Sequence, residues 1–132
     1  MKDPNNPCLF CDTKKSGITH ENELAYASFD TYPVSKYHCL IIPKRHIKNY
    51  FDLKDEELLA CNNLIKIIKK EILKKDQSVK GFNLGTNIGK VSGQSIYHCH
   101  LHLIPRREND VENPQGGVRS VISNKQHYKR KK

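Results

Sequence analysis

The amino-acid sequence predicts an α+β fold, in which antiparallel strands surround one long helix within a single domain. Three observations predict this class. The chain has 132 residues, which is the usual size of one domain. One stretch has the three- and four-residue apolar spacing of an amphipathic helix. The short apolar runs typical of strands are not separated regularly by helices, as they would be in a doubly wound fold.

The helix is predicted over Asp55–Lys75, where lysines occupy the outer face. Acidic residues at its start suit the positive end of the helix dipole, and we expect Asp52 or a residue just after it to be the N-cap. The apolar face consists of Leu58, Cys61, Leu64, Ile65, Ile68, Ile72 and Leu73.

Four apolar runs predict strands, because each is short and is followed by a proline or another turn-forming residue. We expect Pro43 and Pro105 to end the second and the fourth of these runs. The chain after Arg106 is rich in Asn, Gly, Pro and charge, and we expect it to be extended and only partly ordered. The predicted strands are Leu24–Phe29, His38–Ile42, Phe82–Thr86 and Ile96–Ile104.

The composition narrows the class of protein. Lys and Arg number 23 against 14 Asp and Glu, a net charge of +9, and such a surface attracts nucleic acid, nucleotides or phosphorylated small molecules. No stretch approaches the ~20 apolar residues of a membrane span. The N-terminal residues also lack the apolar segment of a signal peptide. We therefore expect a cytoplasmic protein that does not associate with a membrane.

The histidines and cysteines divide into exposed, buried and reactive groups. Five cysteines cannot pair completely within one chain, and in a cytoplasmic protein we expect reduced thiols. Cys39, Cys61 and Cys99 stand at apolar positions and are predicted core residues. His20, in a polar loop, and His127, in the basic tail, are predicted to face solvent.

The most informative segment contains His98, His100 and His102 at alternate positions of the predicted last strand. Alternate side chains of a strand share one face, so the three imidazoles are expected to stand in a row. Such a row is costly in a core, because each ring has nitrogens that need partners. Two chemistries fit it: nucleophilic attack by one imidazole with proton donation by another, or metal binding.

The loop before these histidines favours phosphate chemistry. Gly89 and Gly93 open a loop whose backbone N–H groups are able to cradle an anion, and Gln94 and Ser95 add side-chain donors. A glycine-rich loop alone is a weak signal. Its position directly before three histidines strengthens the interpretation.

Several motifs together resemble the histidine triad (HIT) superfamily over about residues 8–108. The segment Gly93–Ile104 resembles the family's His-x-His-x-His signature, and Cys8-Leu9-Phe10-Cys11 resembles its N-terminal Cys-x-x-Cys. The segment 110–119 resembles the C-terminal extension of bacterial-type diadenosine polyphosphate hydrolases. Further matches are Phe29-Asp30, Leu40–His46, Gly81-Phe82-Asn83 and Asn87.

The resemblance implies a sheet of about five antiparallel strands packed with one long helix and a short one. It also implies a homodimer in which the two sheets join into one continuous sheet. We expect residues 1–132 to form a single HIT domain, with its core at about 8–108. Residues 109–132 would form an extended C-terminal segment with a basic tail.

The resemblance also implies hydrolysis of a nucleoside phosphate at the α-phosphorus through a covalent nucleotidyl-histidine. His100 would be the nucleophile, and His102, with Ser95 nearby, would assist the leaving group. His38 would support the triad from the neighbouring strand. The nucleotide-binding residues would be Phe29 at the base, Asp30 at the ribose, Asn87 at the sugar–phosphate region, and Gly93, Gln94 and Ser95 at the phosphate.

A structural zinc ion is a further implication of the resemblance. Cys8 and Cys11 have zinc-ligand spacing, but one pair is half a site. The superfamily pattern supplies His46 and His98 as the other two ligands. Four protein ligands leave no open position, so the ion would be structural, and no organic cofactor is expected.

Other readings remain open from the sequence. The alternative to an enzyme is a nucleotide-binding regulatory protein with little turnover. A nucleic-acid end-processing enzyme ranks last, because no segment after residue 108 is long enough for a DNA-binding module. A metallohydrolase that uses all three histidines as catalytic ligands is a further alternative, whereas a redox Cys-x-x-Cys lacks a thioredoxin-like context. The identity of the nucleotide and of the leaving group is not specified.

Overall fold

A computed structural model describes residues 8–13 and 17–131. It contains a five-stranded antiparallel sheet with strand order β1-β2-β3-β5-β4 and one long helix. The helix, α1, spans Asp55–Lys75, as predicted. The strands are β1 His20–Glu21, β2 Ala25–Phe29, β3 Cys39–Pro43, β4 Val79–Gly85 and β5 Leu101–Arg107. The α+β prediction is confirmed. Single 3-10 turns occur at Leu9–Cys11, Tyr50–Asp52, Lys90–Ser92 and Gly117–Val121.

The main core lies between α1 and one face of the sheet. Alternate residues of the central strands point toward the helix, and the intervening residues point away from it. The opposite face carries a smaller apolar cluster of Phe10, Tyr26, Leu40 and Ile42. His102 pairs with Leu40 and lies on this second face. The core against the helix consists of Ala25, Ala27, Cys39, Ile41, Ala60, Cys61, Leu64, Ile68, Ile72, Val79, Leu101 and Leu103.

Cys39, Cys61 and Cys99 are buried thiols, as predicted. Burial raises the pKa of Cys39 and of Cys61 to about 11 and that of Cys99 to about 12. These side chains are therefore neutral packing residues at physiological pH.

The last strand differs from the prediction at both ends. It begins at Leu101, so His98 and His100 precede the ladder rather than lie in it. The backbone N–H of Cys99 donates to Ile47 O at 2.7 Å, which ties this segment to the chain after β3. Pro105 does not end the strand. The Pro105 carbonyl accepts the Ser35 hydroxyl at 2.8 Å, on the side of β5 that faces β3. The pairing of β3 with β5 ends at Leu103, so no strand on that side needs an N–H from residue 105.

Strand β1 is absent from the prediction because two residues carry too little pattern. It pairs with β2 and contains His20, which was predicted to face solvent. That prediction is wrong, because His20 Nε2 lies 2.6 Å from Glu71 Oε2 on α1 and the ring is half-buried. His127 is exposed, as predicted, and contacts the Asn113 carbonyl at 2.9 Å.

The C-terminal segment is not extended, which corrects the prediction for residues after Arg106. Its 3-10 turn folds back on the following residues: Arg119 Nε donates to Gln126 O at 3.2 Å, and the Arg119 guanidinium covers the Tyr128 ring at 4.7 Å. Gly116 has φ +74°, and a Cβ at this position would collide with Gln126 O. The segment after Arg106 therefore contains a local hydrogen-bonded turn and is not extended as expected. Among the described residues, no helix is long and apolar enough to cross a membrane.

Candidate active site and metal-ligand cluster

Two thiols and two imidazoles converge where the N-terminal turn meets the end of β3. Cys11 Sγ lies 3.2 Å from His46 Nδ1 and 3.5 Å from His98 Nδ1. Cys8 Sγ lies 3.3 Å from His98 Nδ1, and the two imidazole Nδ1 atoms are 3.2 Å apart. The four residues named from the resemblance are thus gathered into one cluster of possible metal ligands.

The dimensions and chemistry of this cluster fit a tetrahedral zinc site. Ligand atoms about 2.0–2.3 Å from a central zinc ion are roughly 3.3–3.8 Å apart, close to the separations found. His98 Nε2 donates to Pro43 O at 2.7 Å, which leaves the lone pair of Nδ1 directed at the cluster. Burial lowers the pKa of His98, which favours the neutral ring that a metal requires.

His100 is held in one orientation by groups of three different segments. Its Nδ1 donates to His98 O at 2.8 Å, so its Nε2 carries the lone pair. Its own carbonyl accepts the Thr86 hydroxyl at 2.7 Å, and the Phe10 ring packs edge-on at 4.9 Å between centroids. The side chain is only 8 % exposed.

The contacts of Thr86 and Phe10 with His100 were missed by sequence reasoning. Phe10 stands between the two cysteines, and that spacing alone was a usable signal.

His38 and His102 form a hydrogen-bonded pair whose protons can be assigned. The Val34 N–H donates to His38 Nδ1 at 3.1 Å, which requires the proton of the neutral His38 ring to be on Nε2. That Nε2 lies 3.0 Å from His102 Nδ1, so it donates there. The neutral His102 ring then carries its own proton on Nε2. The His102 ring centroid is 5.3 Å from that of His100.

The surroundings of this pair keep both rings neutral. Desolvation by burial, followed by the neighbouring His100 and His38, lowers the pKa of His102 to about 4, although Asp30 opposes the shift. Burial also lowers the pKa of His38, again against the effect of Asp30. At neutral pH the site therefore presents an uncharged imidazole with an N–H donor.

Asp30 serves both the turn and the histidine pair. Its Oδ1 accepts the Tyr32 N–H at 2.8 Å, and its Oδ2 lies 3.4 Å from His38 Nε2 and 3.9 Å from His102 Nδ1. Asp30, His38 and His102 have the residue types of a metal site. The Val34 N–H argues against that use, because His38 Nε2 carries a proton and has no lone pair to give.

The loop between β4 and β5 is largely satisfied by its own hydrogen bonds. Gln94 is buried, and its side chain accepts from Gly89 N and donates to Lys48 O and Ile96 O. The backbone N–H groups of Gly93 and Gln94 donate to Lys90 O and Gly89 O. A phosphate would have to displace these contacts, so the donors of Gly93 and Gln94 are not free in this conformation.

Three further predicted residues lie at the end of β2 and in the loop between β4 and β5. Ser95 is exposed and Asn87 is half-buried at opposite ends of the loop. Phe29, at the end of β2, is 43 % exposed, and its ring lies 6.1 Å from that of Tyr37. Within the described part of the chain, neither Ser95 nor Asn87 hydrogen-bonds to a triad imidazole.

The fold and site define a small α+β protein with paired imidazoles on one sheet face, beside a thiol–imidazole cluster of metal-ligand type. The chain belongs to the HIT domain family, whose model matches residues 12–109. A HIT-like protein of Methanocaldococcus jannaschii is 40% identical over 111 residues, covering 80% of this chain and 83% of that protein.

Two relatives have names that state an activity. Adenosine 5'-monophosphoramidase HNT1 of Saccharomyces cerevisiae is 36% identical over 105 residues, covering 76% of this chain and 63% of that protein. Adenylylsulfatase HINT3 of Arabidopsis thaliana is 34% identical over 109 residues, covering 80% of this chain and 55% of that protein. The matched regions therefore account for only part of these two enzymes.

Solved structures confirm the fold. A HIT family protein from Bacillus anthracis matches with a TM-score of 0.72 and 36% identity, covering 80% of this chain and 77% of that chain. A zinc-bound histidine triad family protein from Mycobacterium smegmatis matches with a TM-score of 0.70 and 28% identity, covering 79% and 78%.

Proposed function

We propose that this protein is a nucleotide hydrolase that cleaves a nucleoside phosphate at the α-phosphorus, with His100 as the nucleophile. The observation that carries the proposal is the hydrogen bond from His100 Nδ1 to His98 O, which leaves Nε2 with a lone pair. The names of the yeast phosphoramidase and the plant adenylylsulfatase support this class of reaction. The substrate would be a diadenosine polyphosphate or a nucleoside phosphoramidate.

The reaction would proceed in two displacements. His100 Nε2 attacks the α-phosphorus, the bond from phosphorus to the leaving group breaks with its electron pair on the leaving atom, and a nucleotidyl-imidazole forms. His102 Nε2–H donates a hydrogen bond to the departing atom, and His38 holds the tautomer that allows it. Water then attacks the same phosphorus, the bond from phosphorus to His100 Nε2 breaks, and the nucleoside monophosphate is released. The proton that water loses balances the proton that the leaving group takes up.

The remaining predicted residues would bind the nucleotide. Asp30 would accept the ribose hydroxyls through the carboxylate that faces the histidine pair, and Phe29 would line the base pocket. Asn87 would contact the sugar–phosphate region, with Ser95 near the leaving group. Gly93 and Gln94 would hold the α-phosphate only if substrate rearranges the loop, because their donors have internal partners.

We also propose that Cys8, Cys11, His46 and His98 hold a structural zinc ion. The separations of their donor atoms and the Pro43 contact of His98 support this assignment. The donor set has no open position, so the ion would fix the N-terminal turn and the triad segment rather than take part in bond breaking.

We further propose that the protein is a homodimer that joins its sheets through β4, which is an edge strand. Beside that edge lies a groove of about 650 Å³ whose apolar lining includes Leu58, Leu59, Ile65 and Leu84. Light scattering after gel filtration should give a dimer mass for wild type and a monomer mass for Leu59→Glu. The control is Ile67→Glu, because Ile67 is exposed on α1 but does not line the groove. A wild-type monomer would overturn this proposal.

The nucleophile can be identified by the mass of the intact protein. Full-length protein is mixed briefly with adenosine 5'-phosphoramidate or a diadenosine polyphosphate and quenched without acid, because phosphorus–imidazole bonds are acid-labile. Wild type should gain one adenylyl group, and His100→Ala should gain none. His127→Ala, which alters an exposed histidine away from the triad, should behave as wild type. An adduct that persists in His100→Ala contradicts the assignment, as does a wild type with neither adduct nor turnover on either donor.

A further inference from the structure

The turn that carries two metal ligands also places an aromatic ring against the nucleophile. Phe10 lies between Cys8 and Cys11 and is 4 % exposed. Its ring centroid is 4.9 Å from that of His100, at an interplanar angle of 67°, and 6.1 Å from that of His98. One side of the His100 imidazole is thus closed by a residue that lies between two of the proposed metal ligands.

Phe10 is itself fixed by contacts that involve no substrate. Its carbonyl accepts the Tyr26 hydroxyl at 2.6 Å, and the Asp12 N–H donates to Leu9 O at 3.1 Å to close the turn. Its ring belongs to the apolar cluster on the sheet face opposite α1. The position of the ring is therefore set by the sheet and by the ligand turn together.

The second restraint on His100 also comes from a metal ligand. The carbonyl of His98 accepts the Nδ1–H of His100, and the His98 side chain is fixed between Pro43 O and the ligand cluster. The ring contact and the hydrogen bond act on the same imidazole from segments about 90 residues apart in the chain. The two segments are joined at the four ligand atoms and by the contacts of the Phe10 ring with His98 and His100.

We propose that Phe10 is a positioning residue for the nucleophile and that the ligand cluster aligns His100 through Phe10 and the His98 carbonyl. This inference rests on the proposed function, because it assumes that His100 Nε2 attacks phosphorus. Without the aromatic edge the imidazole gains room to rotate, and Nε2 is no longer directed at one point. Misplacement of a reacting group by about 1 Å costs about a hundredfold in rate.

The test compares Phe10→Leu with Ile68→Val, both as full-length protein. Leucine keeps the apolar contact but removes the ring. Ile68 is buried on α1, on the other side of the sheet, and contributes to stability without touching the site. Three quantities are measured: bound zinc per chain, the tautomer of His100 from long-range proton–nitrogen NMR correlations, and the rate of adenylyl adduct formation.

Phe10→Leu should retain the metal, show a mixture of His100 tautomers and form the adduct about ten- to a hundredfold more slowly, mainly through kcat. Ile68→Val should keep the single Nδ1–H tautomer and the wild-type rate. The proposal is overturned if Phe10→Leu keeps that tautomer and reacts within about twofold of wild type, or slows no more than Ile68→Val. The NMR spectrum needs no substrate, so a failure of the proposed function, which is a wild type without adduct, is distinguishable from a failure of positioning.

Discussion

A backbone amide that is two hydrogen bonds away determines which nitrogen of His102 carries the proton. The Val34 N–H fixes the tautomer of His38, and His38 fixes that of His102. A second proton on His102 Nδ1 would face the Nε2–H of His38, so protonation must break this contact. That conflict acts in the same direction as burial, which is the largest cause of the lowered pKa.

His102 should therefore titrate near pH 4 instead of near 6.5. Since the folded pKa is the lower one, the unfolded chain takes up the proton first, and the contribution of His102 to stability is lost as pH falls from about 6.5 toward 4. The proton on His102 Cε1 reports the titration by NMR. Asp30→Asn should lower the pKa further, because Asp30 raises it. Titration near 6.5 in the folded protein would contradict the assigned hydrogen bonds.

Thr86 follows the last residue of β4. Its side-chain hydroxyl donates a hydrogen bond to the backbone carbonyl of His100, where the backbone pairing of β4 with β5 has ended. Thr86→Val removes the hydroxyl that His100 O accepts while keeping the shape of the side chain. One neutral hydrogen bond contributes about 0.5–1.5 kcal/mol, so we expect kcat/KM to fall about two- to tenfold. Thr86→Ser, which keeps the hydroxyl, is the matched control. Equal activity of the valine and serine variants would show that the contact does not position His100.

Side-chain spacing was enough to select the three imidazoles as candidate site residues, but it did not predict their hydrogen-bond partners. His98, His100 and His102 could be selected because three polar rings at alternate positions are costly without a function. The internal bonding of Gln94 could not be foreseen, because one of its acceptors, Lys48 O, is 46 residues away. Short-range sequence patterns carry no information on such contacts.

At the scale of elements, the start of α1 is fastened to the chain after β3 by one ion pair. Arg45 donates to both carboxylate oxygens of Glu57, at 2.7 and 2.9 Å, and the same carboxylate accepts the Lys54 N–H at 2.9 Å. The hydrogen bond from Arg45 is the main cause of the lowered pKa of Glu57. The loop that carries His46 is thereby held against the helix.

Glu57→Gln should lower the free energy of unfolding at neutral pH by about 1.5–3 kcal/mol, the usual contribution of hydrogen bonds to a charged group. The folded pKa is lowered, so this stability is present above about pH 4.3 and is lost as pH falls through the folded pKa. Urea unfolding followed by circular dichroism over that range measures the difference. Glu56→Gln, an exposed neighbour, is the control and should change little. A difference that does not depend on pH would contradict the role of the charge.

The periodicity of apolar residues predicted the bounds of α1 but misplaced both ends of β5. The two elements differ in how often their side-chain pattern repeats. A helix of 21 residues repeats its apolar pattern several times. The alternation of polar and apolar residues before Leu101 is the same whether the backbone pairs with β4 or with the loop at Ile47. Backbone hydrogen bonding determines that β5 begins at Leu101, and the side-chain pattern carries no information on that bonding.

At the scale of the whole molecule, the ligand cluster joins three segments that are distant in the chain. The residue pairs in contact are 35, 52, 87 and 90 positions apart. Closing such long loops costs chain entropy on folding, and the free energy of metal binding would offset this cost. The proposed zinc ion would therefore influence the stability of the whole domain.

Chelation should lower the melting temperature by roughly 10–20 °C, if the ion contributes several kcal/mol. Differential scanning calorimetry with and without chelator measures the change. Cys11→Ser removes one ligand, so its melting temperature should already be low and should respond little to chelator. Loss of activity at an unchanged melting temperature would instead indicate a catalytic ion.

The late start of β5 has a consequence for how two rings can serve one phosphorus atom. Same-face neighbours on a regular strand stand about 6.6 Å apart, whereas the rings of His100 and His102 are 5.3 Å apart. In an in-line displacement the attacking atom and the departing atom are separated by only a few ångströms, on opposite sides of phosphorus. Irregular backbone at His100 therefore brings the two imidazoles closer to the span of a single in-line substitution than a continuous pleat would.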